Sequence, residues 1–340
     1  MKIAIVRLSA LGDIIQSAIV LQFIKQFRQD IEIHWFVDQR FKEILENHPH
    51  IDKLYTLPLK NKKFFSSLKI ALEARKNHYD FVLDLQGLMK SALVSRILSR
   101  NNFGFDKDSL KESFAHNFYN QKLSIDYAEN VFVRYLALTA FALNAHFEPK
   151  DIYFKQPIFK ADEELKNSLK QRFNLSEKNI LIHVGSSVQN KIYPMTKLAI
   201  LCKLLLHYDE KLKIYLAWGN EKEKKIAKRV LSLSKIDKES LVLLDKLSLK
   251  ELIALTQLSN LVIGNDSGPT HLAFAMNKPS ITIFGATPHY RNAFVTDINK
   301  TISAHKKIAN VKHIDKSDFC IRNIDEEDIF SLAKDLLDER

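Results

Sequence analysis

Short apolar runs alternate with amphipathic stretches along this chain, and the alternation starts twice. KIAIVRL (2–8) is apolar enough for a strand covered on both faces. DIIQSAIVLQFIKQF (13–27) repeats apolar residues every three to four positions, the period of a helix. The two patterns recur in turn through IEIHWFV (31–37), RFKEILEN (40–47), KLYTL (53–57), FFSSLKIALEARKN (64–77), FVLDLQ (81–86) and MKSALVSRILSR (89–100). A long helix over 127–143 ends the series, and a polar, proline-containing stretch, 144–157, interrupts it. The pattern restarts with NILIHVG (179–185), MTKLAILCKLLLHY (195–208), KIYLAWG (213–219), EKEKKIAKRVLSL (221–233), LVLL (241–244) and SLKELIALTQL (248–258). It ends with NLVIGND (260–266), PTHLAFAM (269–276), PSITIFG (279–285) and a helix over 326–339. Strands and helices of these lengths in alternation build parallel sheets. The chain therefore reads as α/β, with two doubly wound Rossmann-like domains in tandem and ligand sites at strand C-termini facing a central cleft.

Composition narrows the class. The 340 residues are 46% hydrophobic and 27% charged, which suits two globular domains. No apolar run reaches the ~18 residues that span a bilayer. Arg7 interrupts the apolar N-terminus and no small-residue cleavage site follows, so a cytoplasmic protein is expected. Cys202 and Cys320 are far apart and fit free thiols in a reducing compartment. His48 and His50 fit a loop better than a metal site, and no metal-ligand pattern is present. The net charge of +11 attracts polyanions, although the lysine runs at 60–63, 222–229 and 305–313 read as solvated surface. No zinc-finger, basic-zipper or RNA-recognition pattern points to nucleic acid.

Chemistry gathers in four turns. Ser9-Ala10-Leu11-Gly12-Asp13 follows the first strand with one glycine and an acid. Ser9 or Asp13 could simply cap the helix, or Asp13 could be a base that takes a proton from a substrate hydroxyl. HVGSSVQNKIYP (183–194) offers Ser186, Ser187 and Lys191 at a strand end, a set that suits a departing diphosphate. In AWGNEKE (217–223), Gly219 permits close approach to a ligand. Either Glu221 or Glu223 could accept from ribose hydroxyls, while Trp218 reads as packing. VIGNDSGPTHLAFAM (262–276) ends a strand on Asn265-Asp266. Ser267, Gly268, Pro269, Thr270 and His271 then open a helix, either as an anion pocket or as a well-capped helix with a core-facing histidine. No GxGxxG follows the first strand and no GxxxxGK[ST] occurs, so dehydrogenase and P-loop chemistry lose their main supports.

RLSALGDIIQS (7–17), FVLDLQGLMKSAL (81–93), AWGNEKE and VIGNDSGPTHLAFAMNKPSITIFG (262–285) together resemble the lipopolysaccharide heptosyltransferases, over essentially the whole chain. The resemblance implies a GT-B fold with an acceptor domain over 1–150 and a nucleotide-sugar domain over 151–325. It also implies a final helix, 326–340, that crosses back to the first domain. The implied reaction is inverting transfer of L-glycero-D-manno-heptose from its ADP-sugar to Kdo of Kdo2-lipid A, without a metal or other cofactor. A monomer working at the cytoplasmic face of the inner membrane is expected. On this resemblance Asp13 is the catalytic base, and Ser186, Ser187, Lys191, Ser267 and Gly268 face the diphosphate. Gly219, Glu223, Asp266 and His271 bind the donor. Ser9, Gly12 and Lys111 lie on the acceptor side, Lys111 standing where relatives carry an arginine. Two alternatives stay open: a family member that extends an already heptosylated lipid, and a non-catalytic basic module for anionic lipid or nucleic acid.

Overall fold

The computed structural model describes residues 1–59, 64–304, 308 and 310–338, the side chain of Phe64 excepted. The lysine run at 60–63 lies outside the described residues, as do 305–307 and 309 of the run at 305–313 and residues 339–340 of the helix expected over 326–340. The chain divides into two compact units, Met1–Ile158 and Phe159–Arg340.

The first unit is a parallel sheet of β1 (Lys2–Val6), β2 (Glu32–Asp38), β3 (Lys53–Leu57), β4 (Phe81–Asp84), β5 (Asn102–Phe105) and β6 (Gln121–Leu123). Their order is β3-β2-β1-β4-β5-β6. β1 pairs with β2 on one side (Ile3 opposite Ile33) and with β4 on the other (Ile3 opposite Phe81). Ile3, Ala4, Ile5 and Val6 are fully buried, as a central parallel strand requires. The second unit repeats the plan with β7 (Asn179–His183), β8 (Lys213–Ala217), β9 (Leu241–Leu243), β10 (Leu261–Asn265), β11 (Ser280–Phe284) and β12 (Asn299–Ser303). Their order is β12-β11-β10-β7-β8-β9. In both units three strands build outward, and the chain then returns to the first strand and builds the other way. That is the Rossmann order, and it leaves a switch point beyond the C-termini of β1 and β4, and another beyond β7 and β10.

Several elements differ from the sequence expectation. The helix expected over 13–27 is two helices, Leu11–Ser17 and Val20–Phe27. The Ser17 hydroxyl donates back to the Ile14 carbonyl at 3.0 Å, a local bond that competes with the helix ladder at that point. The long helix begins at Val131 rather than at 127, because the Asn130 side chain accepts from the Phe132 N–H and caps it there. RFKEILEN forms only a 3-10 turn, Gln39–Phe41, and one α turn, Lys42–Leu45. The stretch expected as a linker belongs to the first unit and carries the boundary to Ile158. It forms a 3-10 helix, Pro149–Phe154, with Ile152 fully buried. Gln156 N–H donates to Gln22 Oε1 at 2.8 Å, and His48 Nε2 donates to the Ile158 carbonyl at 2.9 Å.

The C-terminal helix, Glu326–Asp338, packs into its own unit. Ile329, Ala333 and Leu336, on one helical face, sit in the core of the second unit with Leu198, Leu201 and Leu205 of the helix Met195–Tyr208. Burying its two large aliphatics contributes roughly 2 kcal/mol each. This helix therefore packs as an element of the second unit. Among the described residues no helix is long and apolar enough to cross a membrane.

Candidate active site

Asp13 is the third residue of the helix Leu11–Ser17. One carboxylate oxygen accepts from the Ala10 N–H at 3.0 Å, so the capping role is present. The other pairs with Arg7 Nη2 at 3.0 Å, while the Asp13 side chain stays 45% exposed. Arg7 is buried, donates to the Leu85 carbonyl at 2.5 Å, and lies 5.4 Å from the centre of the Tyr135 ring. Burial works against its charge, but Tyr135, Asp13 and Asp84 outweigh it and raise the Arg7 pKa. Gly12 is the second residue of the same helix.

The turn after β4 is stitched to this one. Asp84 Oδ1 accepts from the Gln86 and Gly87 N–H groups, and Oδ2 accepts from the Tyr119 hydroxyl at 2.7 Å. Gly87 holds φ +68°, and a Cβ there would meet Leu110 at 2.5 Å. The bend delivers Gln86, whose Oε1 accepts from Leu8 N–H at 2.8 Å and whose Nε2 lies 3.4 Å from Ser9 Oγ. It also delivers Lys90, whose ammonium donates to Ser9 Oγ at 2.9 Å. Arg7, Gln86 and Lys90 went unassigned in the sequence, although all three sit in the stretches that carry the resemblance. Lys111 is exposed and has no hydrogen-bond or ion-pair partner among the described residues. Among the described residues no hydrogen bond or ion pair joins it to Ser9, Gly12 or Asp13.

At the second switch point Asp266 is the hub. It is buried, and its Oδ2 accepts from Lys191 Nζ at 2.7 Å and from the Thr287 hydroxyl at 2.8 Å. Its Oδ1 lies 2.9 Å from His271 Nε2. Burial opposes ionisation, but the Lys191 charge and the His271 bond hold the carboxyl well below the usual carboxylate range. His271 is thus both buried and a member of the polar cluster. The Ser186 hydroxyl donates to the Asp266 carbonyl at 3.2 Å. Asn265 accepts from Tyr193 N–H and donates to the Val184 and Gly185 carbonyls, fixing the two turns together. Ser187 is exposed beside them. Ser267 starts the helix Gly268–Ala275 without capping it through its side chain, its hydroxyl lying 3.3 Å from Thr270 Oγ1. Pro269 has no N–H, so the Gly268 N–H lies at a helix start that no side chain caps.

The turn after β8 completes the group and separates the two glutamates. Asn220 caps the helix Glu221–Ser234. Glu221 is exposed, whereas Glu223 accepts from the Gly219 N–H at 2.6 Å. The Glu223 side chain lies across Gly185 so closely that a Cβ on Gly185 would come within 2.2 Å of the Glu223 carboxyl carbon. Trp218 packs, as expected, and donates to the Leu244 carbonyl at 2.7 Å. Thr287 and Asn265 carried no assigned role in the sequence: Thr287 comes from the turn after β11, and only the fold brings it to Asp266. Among the described residues no cluster of three His, Cys, Asp or Glu side chains is placed to hold a metal ion, and both cysteines are buried and outside any disulfide.

Comparison with known proteins bears on the family and the fold. The family model described as glycosyltransferase family 9 (heptosyltransferase) matches residues 67–319. Lipopolysaccharide heptosyltransferase 1 of Campylobacter coli is 67% identical over 338 residues, 99% of each chain. Lipopolysaccharide heptosyltransferase 1 of Escherichia coli K12 is 26% identical over 84% of this chain and 88% of that one. Among solved structures, E. coli heptosyltransferase WaaC with ADP matches at TM-score 0.73 and 22% identity, covering 99% of this chain and 98% of that one. E. coli ADP-heptose heptosyltransferase II matches at TM-score 0.76 and 20% identity, covering 100% and 99%. These structures share the two-domain GT-B fold, two Rossmann-ordered sheets in one chain. A family match over most of the sequence and a relative two-thirds identical along nearly all of it place this chain in glycosyltransferase family 9, the heptosyltransferases.

Proposed function

We propose that the chain transfers L-glycero-D-manno-heptose from ADP-heptose to Kdo of Kdo2-lipid A, with inversion, in building the lipopolysaccharide inner core. The observation that carries this reading is the division of chemistry between the two switch points. The first presents a half-exposed carboxylate, Asp13; the second presents a lysine, hydroxyls and a helix start. A displacement at an anomeric carbon needs those two kinds of group on opposite partners.

In this mechanism Asp13 takes the proton of the acceptor hydroxyl as its oxygen attacks the anomeric carbon. The bond from that carbon to the diphosphate oxygen breaks, and its electrons leave with ADP. Lys191 meets the growing negative charge, with the hydroxyls of Ser186, Ser187 and Ser267 and the Gly268 N–H. Lys191 exchanges Asp266 for phosphate in doing so, and Asp266 remains held by His271 and Thr287. Glu223, fixed on Gly219 N–H, accepts from the ribose hydroxyls. The lysine and the hydroxyls carry the phosphate charge in this scheme, which calls for no metal. A monomer acting peripherally at the cytoplasmic face of the inner membrane fits the reading, and the net charge of +11 suits an anionic lipid surface.

The test is transfer from ADP-heptose to Kdo2-lipid A, read as a one-heptose gain in the mass of the lipid. Asp13→Ala should cut turnover about 100-fold or more while ADP still raises the melting temperature as it does for the wild type. Transfer only to an already heptosylated lipid would overturn the acceptor assignment. Unchanged turnover in Asp13→Ala would overturn the base.

A further inference from the structure

The first switch point holds three cations whose partners differ. Arg7 is paired with Asp13. Arg40 donates twice to Asp38, at 3.0 and 2.8 Å, and closes that pair. Glu112 accepts the Met89 N–H at 2.7 Å. Lys90 is the cation left over: among the described residues its ammonium has a hydroxyl partner, Ser9, and no carboxylate within ion-pair distance. Its side chain is exposed, so a ligand can reach it. Desolvation at its amino end, with Arg40 and Arg7 nearby and Asp38 and Glu112 only partly offsetting them, lowers its pKa. An added negative charge there would be welcome.

Ser9 adds the second half of a grip. Its oxygen receives Lys90 Nζ at 2.9 Å and Gln86 Nε2 at 3.4 Å. With both bonds accepted, the single Ser9 proton is available for donation to a third group. One ammonium and one hydroxyl match the charge and the two oxygens of a carboxylate. A phosphate dianion would call for more cations than this turn supplies. Ser9 also lies four residues before Asp13, on the turn whose Ala10 N–H holds the Asp13 carboxylate.

We propose that Lys90 and the Ser9 hydroxyl grip the carboxylate of the acceptor sugar and so present its hydroxyl to Asp13. The proposal rests on the transfer reading above, and it places acceptor-acid recognition on Lys90. It commits the site to a sugar acid, not to a lipid phosphate.

The experiment uses the full chain, ADP-heptose and two soluble acceptors: a Kdo glycoside without phosphate, and the same glycoside with its carboxyl reduced to the alcohol. For the acid acceptor, Lys90→Met should raise KM by ~10–100-fold, with donor KM and the ADP-induced thermal shift unchanged. The wild type should discriminate against the reduced acceptor by a similar factor, and Lys90→Met should lose that discrimination. Lys90→Arg should recover part of it. If Lys90→Met handicaps the acid and reduced acceptors equally, Lys90 merely shapes the turn and the proposal fails. If Lys90→Met affects only Kdo2-lipid A, and removal of the lipid phosphates abolishes that effect, the anion is a phosphate and the proposal again fails. A wild type that binds ADP yet transfers heptose to neither Kdo2-lipid A nor the glycoside would overturn the transfer reading itself, before any variant is compared.

Discussion

Lys191 and Asp266, 75 residues apart, meet at 2.7 Å and set the electrostatics of the second switch point. Removing the lysine leaves a buried carboxylate with only His271 and Thr287. Lys191→Ala should therefore lower unliganded stability, by about 3 kcal/mol on the scale of broken buried pairs. It should also weaken ADP binding and turnover together, and Lys191→Arg should restore stability better than activity. Urea unfolding alongside ADP titration separates these effects; a variant with wild-type ADP affinity would move the phosphate contact elsewhere. Asp266, Ser267, Gly268 and His271 stood out because they lie within six residues directly after a buried strand. Thr287 did not, since no local pattern ties it to a carboxylate 21 residues earlier.

The turns are built as elements that lean on one another. Glu223, on the helix after β8, occupies the space beside Gly185, on the turn after β7. Gly185→Ala should push Glu223 away from the Gly219 N–H, destabilise by ~1–3 kcal/mol through overpacking, and weaken ADP binding at least tenfold. The double variant Gly185→Ala/Glu223→Ala should regain stability but not ADP affinity. If the single variant binds ADP normally, Glu223 has no part in holding the nucleotide. Helices with a strong period, such as Met195–Tyr208, match the sequence expectation to the residue. β5, β6, β12 and the helix Glu163–Arg172 had no counterpart in it. The strands are short and carry polar residues, NFGF, QKL and NKTIS, while the helix EELKNSLKQR has a single buried residue, Leu169. Segments with so little apolar pattern are specified by the neighbours they join rather than by their own residues.

Acid should loosen both units at once. Burial draws His48 down to about 4 and His183 down to about 3, against ~6.5 in an unfolded chain. The unfolded state therefore binds protons that the folded state refuses as pH falls below 6.5. Stability is complete above that value and is lost toward pH 4, by up to ~1.4 kcal/mol per pH unit for each imidazole. Urea unfolding between pH 7.5 and 4.5 measures the slope. His48→Gln, which can still donate to the Ile158 carbonyl, should flatten it, and a pH-independent stability would contradict the neutral burial of both rings.

The sequence by itself determined two α/β units with parallel sheets, because hydrophobic period and strand length are local properties. It also singled out four turns as candidate sites, because strand ends in such sheets are where polar residues have no packing duty. Tertiary structure decided the rest. It joined Lys90 and Gln86 to Ser9, Arg7 to Asp13 and Thr287 to Asp266. It placed the C-terminal helix on the second unit and moved the unit boundary to Ile158. Each of these depends on which distant groups share a sheet edge, and strand order, not residue pattern, fixes that.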